Sequence, residues 1–380
     1  MEINTKLLHD YPVICKYTGA TSIPKFQTST FDQQEICAEN IEYMYTRFKN
    51  PTVEALDEAM KMLSSANFAL TFASGMAAIS TGLLLLKSGE HVIIPKEVYG
   101  GTFQFVSKVL TKLGIEVSYV DMSEISNIEN CITENTRMIY VETPSNPLLK
   151  ITDIVKVVNL AKKYNLLTMA DNTFMTNLYQ SPLELGVDVV CESLTKFING
   201  HSDVTGGMLA TNNEQLFNEM KLLQKNLGSI LGVEDAWLVL RGMKTMGLRM
   251  TKSVENAKDL AYFLHKHPKV KKVYYPGLPS HEASTIHKSQ AKSGGAVLSF
   301  ELFSEKGVRD FTKYVKIPVV AVSLGGVESI LSYPKTMSHA VLSPEERLDQ
   351  GVTDELLRLS CGVEDIEDLI SDFEQALNKI

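Results

Sequence analysis

From about residue 67 to residue 211 the chain repeatedly follows a short β-type run with a stretch that is apolar on one helical face. Few folds accommodate that alternation. The runs are "FALTF" (68–72), "HVIIP" (91–95), "EVSYVD" (116–121), "MIYVET" (138–143), "LLTMAD" (166–171), "VVCES" (189–193) and "GMLAT" (207–211). The clearest segment between runs is "ITDIVKVVNLAKKYN". There Ile151, Ile154, Val155, Val158 and Ala161 share a face, while Asp153, Lys156, Lys162 and Lys163 lie off it. Such alternation predicts an α/β fold with a mainly parallel sheet of seven strands covered by helices on both faces.

A second, smaller α/β unit follows. "SVENAKDLAYFLHKH" reads as helix, "VKKVYYP" and "VLSFEL" as strands, and "VVAVSL" and "LLRLSCG" close a sheet. "DIEDLISDFEQALNK" is a last helix with acidic residues in its first turn, which suits the helix dipole. The hinge is expected in a helix around "WLVLRGMKTMGLRMTKS". At 380 residues the chain is long enough for two domains. The expected division is an extended arm over 1–60, a large domain over 61–245 and a small one over 246–380.

A net charge of -8 gives no electrostatic reason to expect nucleic acid or an anionic membrane as partner. No apolar run approaches the roughly 20 residues that span a bilayer, and no secretory signal is visible at the start. The five cysteines, Cys15, Cys37, Cys131, Cys191 and Cys361, are scattered and form no CxxC pair. That argues against a structural zinc or a disulfide framework, and a cytoplasmic protein is expected.

In an open parallel sheet, ligands bind beyond the carboxyl ends of the strands. After "FALTF" come Ser74, Gly75 and Met76, where free N–H groups at a helix start make an anion site. "LLTMAD" ends in Asp171, and "VVCES" leads through Ser193 and Thr195 to Lys196. Singly, each has a plainer reading: a tight turn at Gly75, a cap at Asp171, a solvated cation at Lys196. Together they match the needs of pyridoxal phosphate. That cofactor takes an amine for its Schiff base, donors for its phosphate and a carboxylate against its ring nitrogen. A Rossmann dehydrogenase is disfavoured because no GxGxxG follows the first strand, and a P-loop is absent.

Further segments extend this pattern: "PKFQTSTF" (24–31), "YMYTRFKNPT" (43–52), "ASGMAA" (73–78), "EVYGGT" (97–102), "VETPSNP" (141–147) and "ADNTF" (170–174). "DVVCESLTKFINGHSDVTGG" (188–207), "LRGMKTMGLRM" (240–250), "SLGGVES" (323–329) and "LRLSCGVED" (357–365) complete the series. On these motifs the chain resembles the Cys/Met-metabolism, or trans-sulfuration, family of fold-type I pyridoxal-phosphate enzymes, nearly end to end. The resemblance implies Lys196 as the cofactor-bearing amine and proton shuttle, Asp171 against the pyridine nitrogen, and Tyr99 stacked on the ring. It implies a phosphate site from Gly75, Met76, Ser193 and Thr195, joined by Tyr45 and Arg47 of a neighbouring subunit. Arg358 is then the carboxylate fork, with Asn146 and Ser323 as helpers. Cys191 reads as a small buried strand residue and His201 as a structural partner of the lysine loop. A homotetramer built as a dimer of dimers is expected.

The family resemblance also bears on substrate. Gly101 stands where methionine-cleaving members carry cysteine, which counts against methionine. Glu328 is the glutamate typical of members that handle cystathionine, although Met44 stands where many γ-cleaving members have glutamate. The reading favoured here is a C–S lyase giving cysteine, 2-oxobutanoate and ammonia from cystathionine. A γ-replacement enzyme using O-activated homoserine, a β-lyase, and a non-catalytic binding protein with the same fold stay open.

Overall fold

The computed structural model describes residues 1–33 and 42–380. Cys37 and part of the expected N-terminal arm lie outside the described residues. Seven strands build the first sheet: β1 (Phe68–Phe72), β2 (His91–Pro95), β3 (Glu116–Val120), β4 (Thr136–Glu142), β5 (Leu167–Asp171), β6 (Val189–Glu192) and β7 (Gly207–Thr211). Their order is β1-β7-β6-β5-β4-β2-β3. The pairs β2–β3, β2–β4, β4–β5 and β5–β6 are parallel, whereas β7 runs antiparallel to both β1 and β6. The sheet is therefore mixed but mainly parallel. The exception has a local cause: residues 193–206 join β6 to β7 without a crossover helix, and so short a return delivers an antiparallel neighbour.

Strands β2 and β6 are buried at every residue, which explains their near-continuous apolar runs. A second sheet holds β8 (Val270–Tyr274), β9 (Val297–Leu302), β10 (Val319–Val320), β11 (Ile330–Ser332) and β12 (Leu356–Ser360), ordered β10-β11-β12-β9-β8. The expected strand at "VVAVSL" shrinks to two residues, and the short β11 had no alternating pattern to announce it. Under this sheet Phe300, Phe311 and Phe373 pack edge to face in a fully buried cluster.

The helix read from "ITDIVKVVNLAKKYN" runs over Ile154–Tyr164, with the Asp153 carboxylate accepting the Lys156 N–H at 3.0 Å as its cap. Because it starts at Ile154, its buried stripe is Ile154, Val157, Val158 and Ala161, spaced i, i+3, i+4, i+7. Val155, expected on that face, points to solvent instead. The presumed arm also holds more helix than expected. Ile3–His9 is one turn pair, and Pro51–Leu63 is an amphipathic helix burying Ala55, Leu56, Ala59, Met60 and Leu63. Asn50 accepts the Thr52 N–H at 3.0 Å and Pro51 takes the first turn, a start signal the alternation argument overlooked. Among the described residues no helix is long and apolar enough to cross a membrane.

The expected hinge helix is two helices, Val233–Met243 and Met246–Lys266. Next to the break the buried Arg249 guanidinium donates to Gly242 O (2.9 Å), Phe197 O (2.8 Å) and Ile198 O (3.1 Å). It thereby fixes the turn that follows Lys196. Arg249→Ala strands these three carbonyls, and a loss of about 3 kcal/mol is expected in denaturant unfolding.

Candidate active site

Strand ends of the first sheet and two loops of the second close on a cavity of about 490 Å³. β5 ends at Asp171, β4 at Glu142, and β6 at Glu192, from which the chain turns through Ser193 and Thr195 to Lys196. From the opposite side come Arg358 on β12, Ser332 on β11 and Ser323 in the loop between β10 and β11.

At one end the helix Gly75–Leu83 points its N-terminus into the cavity. Ser74 caps it by accepting the Ala77 N–H at 3.0 Å, while the Gly75 and Met76 N–H groups have no partner among the described residues. A Cβ on Gly75 would lie 3.0 Å from Ser193 Cβ, so glycine is what lets β6 approach the helix start. The Ser193 hydroxyl is unengaged among the described residues. Thr195 lines the same space, yet its hydroxyl donates to Gly206 O (3.2 Å) and accepts the Gly206 N–H (2.9 Å). Of the two hydroxyls expected to donate to an anion, only Ser193 is free to do so.

The Lys196 amine donates to Ser323 Oγ at 2.6 Å. Burial, then the nearby Arg358 charge, pull its pKa down to about 8. The Asp171 carboxyl is pushed up by burial, against hydrogen bonds from Thr173 N–H (2.9 Å) and Tyr140 Oη (3.5 Å). Its neighbour Glu142 is pushed up to about 8 by burial and by Asp171 beside it, although Tyr99 N–H and Asn146 N–H both donate to it. Arg358 donates to Asn146 Oδ1 (2.8 Å), Ser323 O (2.7 Å) and Ser332 Oγ (3.1 Å), and its Nε lacks a partner among the described residues. Tyr99 lines the cavity just before the helix Gly100–Lys108.

The structure thus brings together Lys196, Asp171, Tyr99, Gly75, Met76, Ser193, Thr195, Arg358, Ser323 and Asn146. Three expected residues lie elsewhere. Arg47 donates to Lys225 O at 2.8 Å and sits over the Phe48 and Tyr45 rings, and neither it nor Tyr45 lines the cavity of its own chain. Glu328 is likewise outside the lining, with its carboxylate taking a hydrogen bond from Ser202 Oγ. His201 bonds the Asn199 carbonyl at 2.7 Å, and Cys191, buried on β6, lines the cavity floor. Glu142, Glu192 and Ser332 were missed. The strand-end rule that singled out Asp171 applies equally to Glu142 and Glu192.

Comparison with known proteins gives a consistent set of likenesses. The family described as Cys/Met metabolism PLP-dependent enzyme matches residues 4–378. The chain is 51% identical over 378 residues to a cystathionine β-lyase of Bacillus subtilis, covering 100% of this chain and 97% of the relative. It is 43% identical over 380 residues to a cystathionine γ-lyase of the same organism, covering 100% of both. A solved cystathionine γ-lyase from Lactobacillus plantarum, complexed with L-serine, superimposes with a TM-score of 0.97 at 40% identity, covering 100% of this chain and 99% of that one. The donor set fits the family's cofactor: two free N–H groups and a hydroxyl for a phosphate, a buried carboxyl for a ring cation, and an amine for an aldehyde.

Two outcomes are expected for the cofactor-free protein. Gly75→Ala intrudes on the anion cradle, so titration with pyridoxal phosphate should show affinity lowered by about tenfold. A neutral amine is the nucleophile, so the rate at which yellow colour develops with cofactor should rise as pH climbs through about 8.

Proposed function

Since the chain belongs to the Cys/Met-metabolism family of pyridoxal-phosphate-dependent enzymes, we propose that it is a carbon–sulfur lyase acting on cystathionine. One observation carries this reading: Ser323 joins the Lys196 amine to the Arg358 guanidinium inside one buried cavity. An amine for proton transfer and a fork for a carboxylate, set one residue apart, suit an α-amino acid substrate.

When bound, pyridoxal phosphate supplies an electron sink for the carbanion left as an amino acid loses its α-proton. The chain's own residues do the rest. Arg358, steadied by Asn146 and Ser332, holds the substrate α-carboxylate and so presents the Cα proton to the Lys196 amine. With a pKa near 8 that amine exchanges a proton at little cost around neutral pH. Asp171 holds a proton on the ring nitrogen, and Tyr99 covers the ring. The Gly75 and Met76 N–H groups and Ser193 hold the phosphate. Tyr45, which is exposed, and the half-buried Arg47 beside it serve the cavity of a neighbouring copy, so the active form is an oligomer, with a dimer of dimers expected.

The bond cleaved is read first as Cβ–S, giving homocysteine, pyruvate and ammonia. The relative at 51% identity supports it. So does Met44, which stands where many γ-cleaving members have glutamate. Cleavage at Cγ–S, giving cysteine, 2-oxobutanoate and ammonia, is the second reading, supported by the relative at 43% identity. The intact set of Lys196, Asp171 and Arg358 speaks against a purely binding role.

Purified protein incubated with cystathionine is expected to release pyruvate. Release of 2-oxobutanoate in its place assigns the second reading, and release of neither ends the lyase proposal. Lys196→Ala should be colourless after dialysis and slower by at least about a thousandfold.

A further inference from the structure

Glu142 is the buried group that the roles above leave idle. It closes β4, stands in register with Asp171 on β5, and lines the cavity. No lysine or arginine pairs with it among the described residues. Instead its two oxygens are divided between two N–H donors. Oε2 accepts from Tyr99 at 2.9 Å, and Oε1 accepts from Asn146 at 3.0 Å. Those recipients belong to different parts of the site. Tyr99 immediately precedes the helix Gly100–Lys108, so the point at which its N–H is pinned sets where that helix begins and where the ring lies. Asn146 passes its Oδ1 to Arg358 at 2.8 Å.

A single side chain therefore spans from the ring cover to the carboxylate fork. The two N–H donors favour the deprotonated carboxyl against the burial and the Asp171 charge that push the group up to about 8. That form suits this bridge, because both oxygens then accept. An amide does not suit it: one of its two ends is a donor, which would face an N–H. The span is also stiff, since Glu142 is buried and its neighbours on the strand are fixed in the sheet.

We propose that Glu142 is a positioning residue that couples the grip on the substrate α-carboxylate, through Asn146 and Arg358, to the placement of the Tyr99 ring. The inference rests on the roles proposed for Tyr99 and Arg358. It assigns no contact between Glu142 and substrate. Its effect reaches the reaction through the two residues it holds.

Glu142→Gln keeps the shape and removes one acceptor. Two quantities are read: cofactor affinity, by titrating the cofactor-free protein, and the kcat and KM for cystathionine. The single variant should bind cofactor about tenfold more weakly and show KM raised by about tenfold, because one end reports on the ring and the other on the carboxylate. In a Tyr99→Ala background the cofactor effect should fall below about twofold, and in an Asn146→Ala background the KM effect should do the same, since the coupled partner is already gone. The same loss in every background, tracking a lowered Tm, means that Glu142 only supports the fold and overturns the proposal. Unchanged affinity and KM in Glu142→Gln overturn it too. Should Glu142→Gln not fold, Glu142→Asp replaces it, keeping the charge but one methylene too short to span both N–H groups, with the same expectations. If Tyr99→Ala leaves cofactor affinity unchanged and Arg358→Lys leaves KM unchanged, the roles proposed for those residues fail, and this inference falls with them.

Discussion

Two cations share one serine, and the cavity is organised around that fact. Ser323 offers its hydroxyl to Lys196 and its carbonyl to Arg358. Like charges so placed repel, and a guanidinium does not give up its proton in a protein, so the lysine yields. Burial first, and the Arg358 charge second, bring the Lys196 amine down to about 8 while Arg358 stays charged. The serine is held in an uncommon shape: its φ of 84° is in the left-handed region, which costs a non-glycine residue on the order of 1 kcal/mol. Its neighbourhood keeps it there. Gly325, also left-handed at φ 81°, presses so closely on Lys196 and Phe197 that a Cβ would lie 2.6 Å from Phe197 N. The Gly325 N–H is in turn tied to Ser360 Oγ at 2.8 Å on β12. The segment "SLGG" is thus a clasp between the two sheets, and its glycines are there for contact distance.

The acidic side of the cavity follows from sheet geometry. Parallel neighbours end together, so β4, β5 and β6 deliver Glu142, Asp171 and Glu192 to one edge. Three ionised carboxyls in a low-dielectric space would outweigh the two cations, and their hydrogen bonds sort them. Glu192 gives Oε1 to Asn172 (2.8 Å) and Asn177 (2.7 Å), while Oε2 has no partner, and burial drives its pKa well up. Glu142 has a donor on each oxygen, which favours its charged form against the burial and the Asp171 charge that push it up. Asp171 has one strong donor on Oδ1 and one weak contact on Oδ2, and it lines the cavity beside them.

Much of this was legible in the sequence because strands announce themselves by period and composition, and strand ends locate the site. Ser74, Gly75, Asp171, Ser193 and Lys196 were found that way and lie together in the cavity. What escaped depends on three-dimensional neighbours that spacing does not encode. Thr195 looked like a phosphate donor until Gly206 was seen to occupy its hydroxyl. Glu328 looked like a substrate contact, and Ser202 occupies it. Glu142 was passed over because "VETP" reads as a strand end without any neighbouring cation to draw notice. The break between Met243 and Met246 was invisible because "RGMKTMGLR" carries good helix formers on both sides. It exists because Arg249 reaches the carbonyls of the lysine turn.

In the lyase reading proposed above, the choice between Cβ–S and Cγ–S cleavage falls in a different part of the cavity from the first proton transfer. Both routes begin with the same proton at Cα, so Lys196, Asp171 and Arg358 serve either. They part where a second proton must leave Cβ, one carbon further from the fork, and where the sulfur must lie against the ring plane. The wall that faces this region is built from the Tyr99 ring, Met76, Met337 and Val341. Gly101 sets its shape: a Cβ there would meet Tyr99 Cε1 at 2.6 Å and Met76 Sδ at 2.9 Å. Any side chain at residue 101 therefore requires the Tyr99 ring or Met76 to shift. The place of the Tyr99 residue is thus bounded by Gly101 on the ring side and by Glu142 at its backbone N–H.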